Sequence, residues 1–511
     1  MSRRDGGRRA TRSRRSQAAA EGLAWHPLVN RYPRWEVLRE EEVEAIHRAS
    51  LRLLDEQGIE IMAPEAVERF AAAGARVERA TGLVRLDPDL VMELIAQVPP
   101  EVTLTPRNPA HAITLGGDHL VIGCVSGPPN CSDLAGGRRP GTYKDACDLV
   151  RLYCALGVGH LLSASPVEAL DLPVPTRHLD GYLANLTLAD RVFMGRAIGR
   201  GRIEDALEMI AIARGLDRAA LVRSPSLLAV ISVNSPRRVD GEMIAGLEAL
   251  AENGQVAVVT PFTLMGAMTP VTLPAALMQQ NAEALAMIAY TQLVRPGAPA
   301  VYGGFTSNVD MRSGAPAFGT PEYAFATIAS GQLARRYRLP YRSSNVNASN
   351  AVDAQSAYEA QNALWACVLG GVNMVHHGLG WLEGGLVASR EQMVLDAELV
   401  RMLGHMLSER PEVTEETLAL EAIREVGPGG HFFGAQHTIE RYETAFYRPL
   451  LSDWRNFESW REAGAADATR RAAAIAEQLI ADYVPPPIEP AVEEALEDYV
   501  ARRKEAGGVP S

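Results

Sequence analysis

The 511-residue sequence predicts a (β/α)8 barrel with an N-terminal helical extension and a C-terminal helical extension. Three observations lead there. Eight short apolar runs recur between residues 119 and 376, each ending in small or polar residues. A helical pattern follows each run, which is the rhythm of a closed parallel barrel. Finally, no GxGxxG phosphate loop opens the series. The first run leads into Gly123-Cys124-Val125-Ser126-Gly127-Pro128-Pro129, whose two prolines stand where a doubly wound dinucleotide-binding sheet would begin a helix.

The elements follow in order. Residues 1–24 form an arginine-rich arm. Residues 1–15 hold seven arginines and one acid, Asp5, and the Gly/Ser/Arg composition predicts disorder. The formal net charge is −12, so the body is more acidic still; this favours a solvated tail over a nucleic-acid contact. Residues 25–118 are expected to be a helical extension. Val43, Ile46, Leu53 and Leu54 share one face of a helix over 40–57, and Pro64 and Pro88 each open another at the first-turn position where proline is tolerated.

The barrel is assigned to 119–408. Its strands are predicted at 119–125, 159–163, 191–195, 226–233, 255–260, 298–303, 340–344 and 372–376. The last barrel helix, predicted over 389–407, starts with Ser389-x-x-Gln392, a capping-box pattern. Residues 409–511 form the C-terminal extension, with helices at 467–483 and 489–504 around the stop Val484-Pro485-Pro486-Pro487.

Composition removes some chemistry. Of 50 basic residues only Lys144 and Lys504 are lysines, and neither sits at a predicted strand end. Schiff-base, pyridoxal-anchor and P-loop chemistry each need a lysine in a defined place. No apolar run approaches the ~20 residues of a membrane span, and none follows the arm as a secretory signal would. Five cysteines without paired spacing fit a reducing cytoplasm. A large cytoplasmic barrel is expected to be a homo-oligomer.

Barrel chemistry belongs at the C-terminal ends of the strands. These ends read Ser126, Ser165, Gly195, Asn234-Ser235, Thr260-Pro261, Gly303-Gly304-Phe305, Ser343-Ser344-Asn345 and His376-His377: small, polar and mostly uncharged. A zinc site built from Cys124, Cys131 and His376 is conceivable. The adjacent histidines argue against a site holding both, because neighbours on an extended strand point to opposite faces. No resident metal is expected. The loop after the seventh strand, Ser344-Asn345-Val346-Asn347-Ala348-Ser349-Asn350 running to Asp353 and Gln355, offers amides and hydroxyls without net charge. It reads equally as a polar ligand site or as an Asx-rich turn ahead of a helix cap. After the eighth strand, Trp381 offers a π face for a cation, and Glu383 a carboxylate to fix a positive group or orient a histidine. Packing and a helix-start carboxylate explain them as well.

In these two segments the sequence resembles the trimethylamine:corrinoid methyltransferase family. The motifs are Asp353-Ala354-Gln355-Ser356-Ala357-Tyr358-Glu359, then Gly371-Val372-Asn373-Met374 with Gly380-Trp381-Leu382-Glu383-Gly384-Gly385-Leu386. Downstream, Gly429-Gly430-His431-Phe432-Phe433, His437-Thr438 and Tyr447-Arg448-Pro449-Leu450-Leu451 match as well. The likeness spans about residues 25 to 480. It implies a (β/α)8 barrel and transfer of a methyl group from a methylated amine to the Co(I) corrinoid (cobalamin) of a separate partner protein.

Some members of that family carry pyrrolysine, which falls near the 345–350 loop; this sequence has only standard residues. The resemblance therefore implies a member acting on a quaternary amine of the betaine type, whose leaving group is already a neutral tertiary amine. It also implies that Phe305, Ser344, Asn345, Asn347, Asp353, Gln355, His376, Trp381 and Glu383 bind substrate, and that His431 and His437 face the corrinoid. The chain lacks an Asp-x-His-x-x-Gly corrinoid signature, so the cofactor is expected on the partner. A metal-dependent barrel lyase or hydrolase, and a catalytically idle betaine-binding protein, are the alternatives.

Overall fold

A computed structural model describes residues 25–408 and 410–509. The arginine-rich arm lies outside the described residues. Eight parallel strands close on themselves: β1 (His119–Cys124), β2 (Leu161–Leu162), β3 (Val192–Met194), β4 (Leu227–Val233), β5 (Val256–Met265), β6 (Ala300–Gly303), β7 (Tyr341–Ser344) and β8 (Met374–Leu379). Each pairs with the next in chain order, and β8 returns to β1 through Met374↔Val121 and Val375↔Ile122. This is the predicted (β/α)8 barrel; six strands fall within their predicted runs, while β5 and β8 continue past the ends of theirs.

Most of the strands are apolar, β4 and β5 being rich in β-branched residues, and their side chains alternate between two buried faces. Outward residues such as Ala229, Ile231, Val259 and Tyr302 join the large core beneath the helices. Inward residues Val121, Leu161, Val192, Leu228, Val256, Val258, Val301 and Met374 fill the barrel's lower half as a second core. The sequence alone did not show what seals that core from below. A hairpin of Val102–Leu104 and Ile113–Leu115 presses Leu104, Ile113 and Leu115 into it. Burying three such side chains contributes about 1.5–3 kcal/mol each. The barrel is therefore plugged at the foot and open only at the mouth.

Eight helices surround the strands: α1 (Tyr143–Ala155), α2 (Arg177–Leu188), α3 (Arg200–Arg214), α4 (Gly241–Glu252), α5 (Leu273–Val294), α6 (Pro321–Arg336), α7 (Ala354–Gly370) and α8 (Arg390–Ser408). Residues 25–118 are mixed rather than wholly helical. The helices Glu40–Glu56, Pro64–Ala72 and Pro88–Ile95 are there, the last capped by Asp87, but short strands lie between them. Ile59–Ile61 pairs with Leu83–Arg85 and with Arg238–Val239 of the loop after β4, fastening the extension to the barrel.

At the other end of the chain, Ala468–Asp482 packs against α8 and α1. Pro490–Glu505 packs against α3 and α2, where Asp205 accepts from Arg503 and Tyr499. Both lysines make ion pairs with helix carboxylates, Lys144 with Asp148 at 2.6 Å and Lys504 with Asp180 at 2.5 Å. Among the described residues no helix is long and apolar enough to cross a membrane.

Candidate active site

A cavity of about 380 Å³ opens at the C-terminal ends of the strands. Its wall is built by the inward positions one layer above the apolar core. Val230 and Ser232 of β4, Thr260 and Phe262 of β5, Arg342 of β7 and His376 of β8 continue the alternation that points Leu228, Val258 and Met374 inward. β5 runs beyond the barrel rim and pairs Phe262 with Phe305, just after β6. The parallel register sets the two rings 5.0 Å apart, and Phe318 stacks on Phe305 at 5.8 Å.

Arg342 is the chemically loaded residue. It is fully buried, and its Nε and Nη1 have no hydrogen-bond partner. Its guanidinium lies over the Phe305 ring, 5.0 Å from the centroid. Burial pulls its pKa down to about 10, so it is still a cation at neutral pH. A buried, charged fork without an acceptor is costly, and aimed into a cavity it is a receptor for an anionic group. Fork geometry matches a carboxylate in particular. Arg196 also lines the cavity, but Glu168 holds it at 2.7 Å.

The two histidines depart from the strand rule. His377 has φ +56°, a left-handed conformation uncommon outside glycine, and the β8–β1 register slips between Val375 and Leu379. The turn brings both rings to the cavity, with centroids 3.7 Å apart. The expectation of opposite faces is thus corrected. Burial first, and then neighbouring charge (Arg342 for both rings, His376 also for His377), holds both pKa values well below the usual range, so both rings are neutral. His377 Nδ1 accepts from the Ser126 backbone N–H at 3.2 Å, which leaves its proton on Nε2 as a donor. Backbone strain of this kind gathers at functional sites. Among the described residues no set of three or more His, Cys, Asp or Glu is placed to hold a metal.

The residues expected to bind substrate divide into three groups. Phe305 and His376 line the cavity. Trp381, Asn345 and Asn347 sit outside its lining, and Ser344, on the same face of β7 as Arg342, is buried with its Oγ unpartnered. Trp381 packs against His377, with ring centroids 4.3 Å apart and planes tilted by 50°, and donates its indole N–H to the Asn347 carbonyl, while the Asn347 amide returns a bond to the Trp381 carbonyl at 2.6 Å. Asn345 donates to Gly378 and to Asp396. These amides therefore brace the turn that carries the histidines.

The third group is engaged elsewhere. Asp353 caps α7 through the Gln355 and Ser356 amides, Gln355 donates to Glu359, and Glu383 pairs with Arg138 at 2.8 Å. For Asp353 and Gln355 the helix-cap reading is the one the structure bears out.

His431 and His437, expected to face the corrinoid, are not among the residues that line the cavity. His431 is exposed, and His437 lies in a groove with Glu415, Glu416 and Arg441. The chain just beyond them, residues 443–448, packs with Val158 and His160 below β2 and with the end of α8, at the foot. Helix α8 runs antiparallel to the strands, and the chain after it starts from the foot; this topology was not readable from the motif. Sequence reasoning missed Arg342, Phe262 and the cavity-facing Arg196, and named His377 without giving it a role. The signal for Arg342 was present: it is the charged residue inside an otherwise uncharged strand run.

Comparison with known proteins fits this geometry. The profile of the trimethylamine methyltransferase (MTTB) family matches residues 4–508. The chain belongs to that family. It is 36% identical to a glycine betaine methyltransferase of Desulfitobacterium hafniense over 477 residues, covering 93% of this chain and 98% of the relative. A trimethylamine methyltransferase from another strain of that organism is 30% identical over 475 residues, 92% and 94% of the two chains. Among solved structures, the Methanosarcina barkeri monomethylamine methyltransferase covers 89% of this chain and 90% of its own, with 11% identity and a TM-score of 0.46. This family member is a methyltransferase.

Proposed function

We propose that this methyltransferase takes a methyl group from a betaine, a quaternary amine bearing a carboxylate, and passes it to the Co(I) corrinoid of a separate protein docked at the mouth. The unpartnered guanidinium of Arg342 carries the reading. A simple quaternary cation finds no counter-ion in a cavity holding two arginines and no acidic side chain in its lining. A zwitterion does: its carboxylate reaches Arg342 and the Nε2–H of His377, and its ammonium lies against Phe262 and Phe305.

The corrinoid supplies the nucleophile, and a cavity of about 380 Å³ is far too small to house a corrin ring, in keeping with a carrier protein outside. The chain's residues align the donor. Carbon–nitrogen cleavage removes the positive charge from nitrogen, so an anionic cage would stabilise the ground state and slow the reaction. Aromatic faces and neutral imidazoles grip the cation without that penalty. A neutral amine departs, so no proton is required at nitrogen and no general acid is needed. Neither alternative, a metal-dependent lyase or hydrolase nor an idle binding protein, finds support in the family relatives or in the ligand-poor cavity.

The test mixes the protein with a Co(I) corrinoid protein and a panel of glycine betaine, longer betaines, choline and trimethylamine. Loss of the Co(I) spectrum with release of the demethylated amine is expected for betaines only. A choline response equal to that of the betaines would defeat the carboxylate assignment, and silence across the panel would defeat the proposal.

A further inference from the structure

The cavity is larger than the simplest betaine. Glycine betaine has eight non-hydrogen atoms, and at the ~30 Å³ that a water-sized group takes in a liquid it fills at most about 240 Å³ of the 380 Å³ present. The wall left over, on the β2 to β4 side, is aliphatic: Ala164, Met194, Val230 and Met243. It holds one charge, Arg196, which follows β3 two residues after the inward-pointing Met194. The Arg196 side chain is 18% exposed, and its Nε is buried without a hydrogen-bond partner. Glu168 lies 2.7 Å from its Nη2, but the same carboxylate also pairs with Arg177 at 3.1 Å. One carboxylate between two guanidiniums leaves a positive charge over, largely shut off from water, and such a charge is costly. Arg342 carries the same imbalance on β7.

The ring order sets the two arginines on opposite walls. β3 and β7 are four strands apart whichever way the barrel is followed. Each guanidinium is also held to its own side. Arg342 lies over Phe305, just after β6, while Arg196 is drawn to Glu168, beyond β2, and β2 and β6 are opposite as well. A single carboxylate forked by Arg342 therefore leaves Arg196 unserved.

We infer, resting on the betaine reading above, that the preferred methyl donor carries a second carboxylate at the end of its side chain, bound by Arg196 across the barrel from Arg342. The quaternary nitrogen stays against Phe262 and Phe305, the carbon chain crosses Val230 and Met243, and Arg196 donates from Nε to the distal carboxylate. Charge then balances. Two carboxylates meet the two surplus positive charges, and the ammonium takes the aromatic faces. Size agrees too: the N,N,N-trimethyl derivative of glutamate has thirteen non-hydrogen atoms, which fill about 390 Å³ at the same allowance.

Calorimetric titration of the full chain, without any corrinoid, compares glycine betaine with the trimethyl derivatives of glutamate and of glutamine, the last having the same shape and no distal charge. The glutamate derivative is expected to bind about 10- to 100-fold more tightly than the other two, the range of a hydrogen bond to a charged group. Arg196→Met is expected to bring it level with the glutamine derivative. The three-ligand comparison uses the unaltered protein, so it decides the matter even where that variant does not fold. A glutamine derivative that binds as tightly as the glutamate one overturns the inference, and so does a folded Arg196→Met protein that keeps the preference. Methyl transfer to a Co(I) corrinoid protein is read separately. Demethylation of glycine betaine with no tighter binding of the glutamate derivative sinks this inference and leaves the betaine reading standing. A glutamate derivative that binds tightest yet never loses a methyl group overturns its assignment as donor.

Discussion

Replacing Arg342 with Met keeps the volume and removes the charge. In the free protein the guanidinium is buried, two of its nitrogens lack partners, and its pKa falls from 12.5 to about 10. That drop corresponds to about 3 kcal/mol of desolvation that the cavity leaves uncompensated. A substrate carboxylate recovers an amount of this order, equal to about 100-fold in affinity. Calorimetric titration of Arg342→Met is therefore expected to show glycine betaine binding about 100-fold weaker, while choline, which has the same trimethylammonium and no carboxylate, changes less than about threefold. The unliganded variant is expected to melt higher than the parent, because an uncompensated buried charge has gone. Arg342→Lys, a point charge without the fork, falls between the two. Equal losses for both ligands would refute the reasoning, and so would a lower melting temperature with no change in selectivity.

Other outcomes follow from the same geometry. Phe305→Leu removes a π face beside the proposed ammonium, so affinity for betaine and choline alike is expected to fall by about 0.5–2 kcal/mol in titration. Trp381→Ala is expected to cost about 3–5 kcal/mol of stability in denaturant unfolding, with the lost activity tracking misplacement of His377 rather than lost substrate contact. Asp396 is fully buried, and burial raises its pKa from 3.8 to about 7 although Gly380, Gln392 and Asn345 donate to it. The folded pKa lies above the unfolded one, so the protonated form favours folding. Its contribution, about 4 kcal/mol, is complete below pH 4 and lost as pH rises through 7. Asp396→Asn is expected to flatten the decline in stability between pH 4 and 7, read by thermal melts across that range; an unchanged slope would show that Asp396 does not titrate there. His377→Val forces a β-branched residue into a left-handed conformation and is expected to lower the melting temperature, whereas His377→Asn keeps the fold and loses the imidazole donor.

The barrel was legible because its signal is local. β-branched runs such as Leu227–Val233 and the helices between them follow from residue periodicity, and glycines and prolines mark their ends. The site was legible only where a residue type already looked out of place, as with Phe305 and His376 at strand ends. Arg342 was hidden because its meaning depends on which face of β7 turns inward, and that is fixed by the register with β6 and β8. His377 was misread because the alternation rule fails at a positive φ that no glycine announces. Asn345 and Asn347 fit a polar binding loop in sequence; in the fold their amide N–H groups bond Asp396 and the Trp381 carbonyl, and their Oδ1 atoms are buried without a partner. The strands of the N-terminal extension depend on a pairing with Arg238–Val239, far along the chain.

The hairpin of Val102–Leu104 and Ile113–Leu115 that plugs the foot has a kinetic meaning. With no back door, the incoming amine, the outgoing amine and the methyl acceptor all use one opening. On the proposed reaction the amine enters before the carrier protein covers the mouth, and the spent amine is trapped until the carrier lifts away. Turnover is then compulsorily ordered: excess carrier protein inhibits by sealing empty barrels, and the demethylated amine competes with substrate only while the mouth is uncovered.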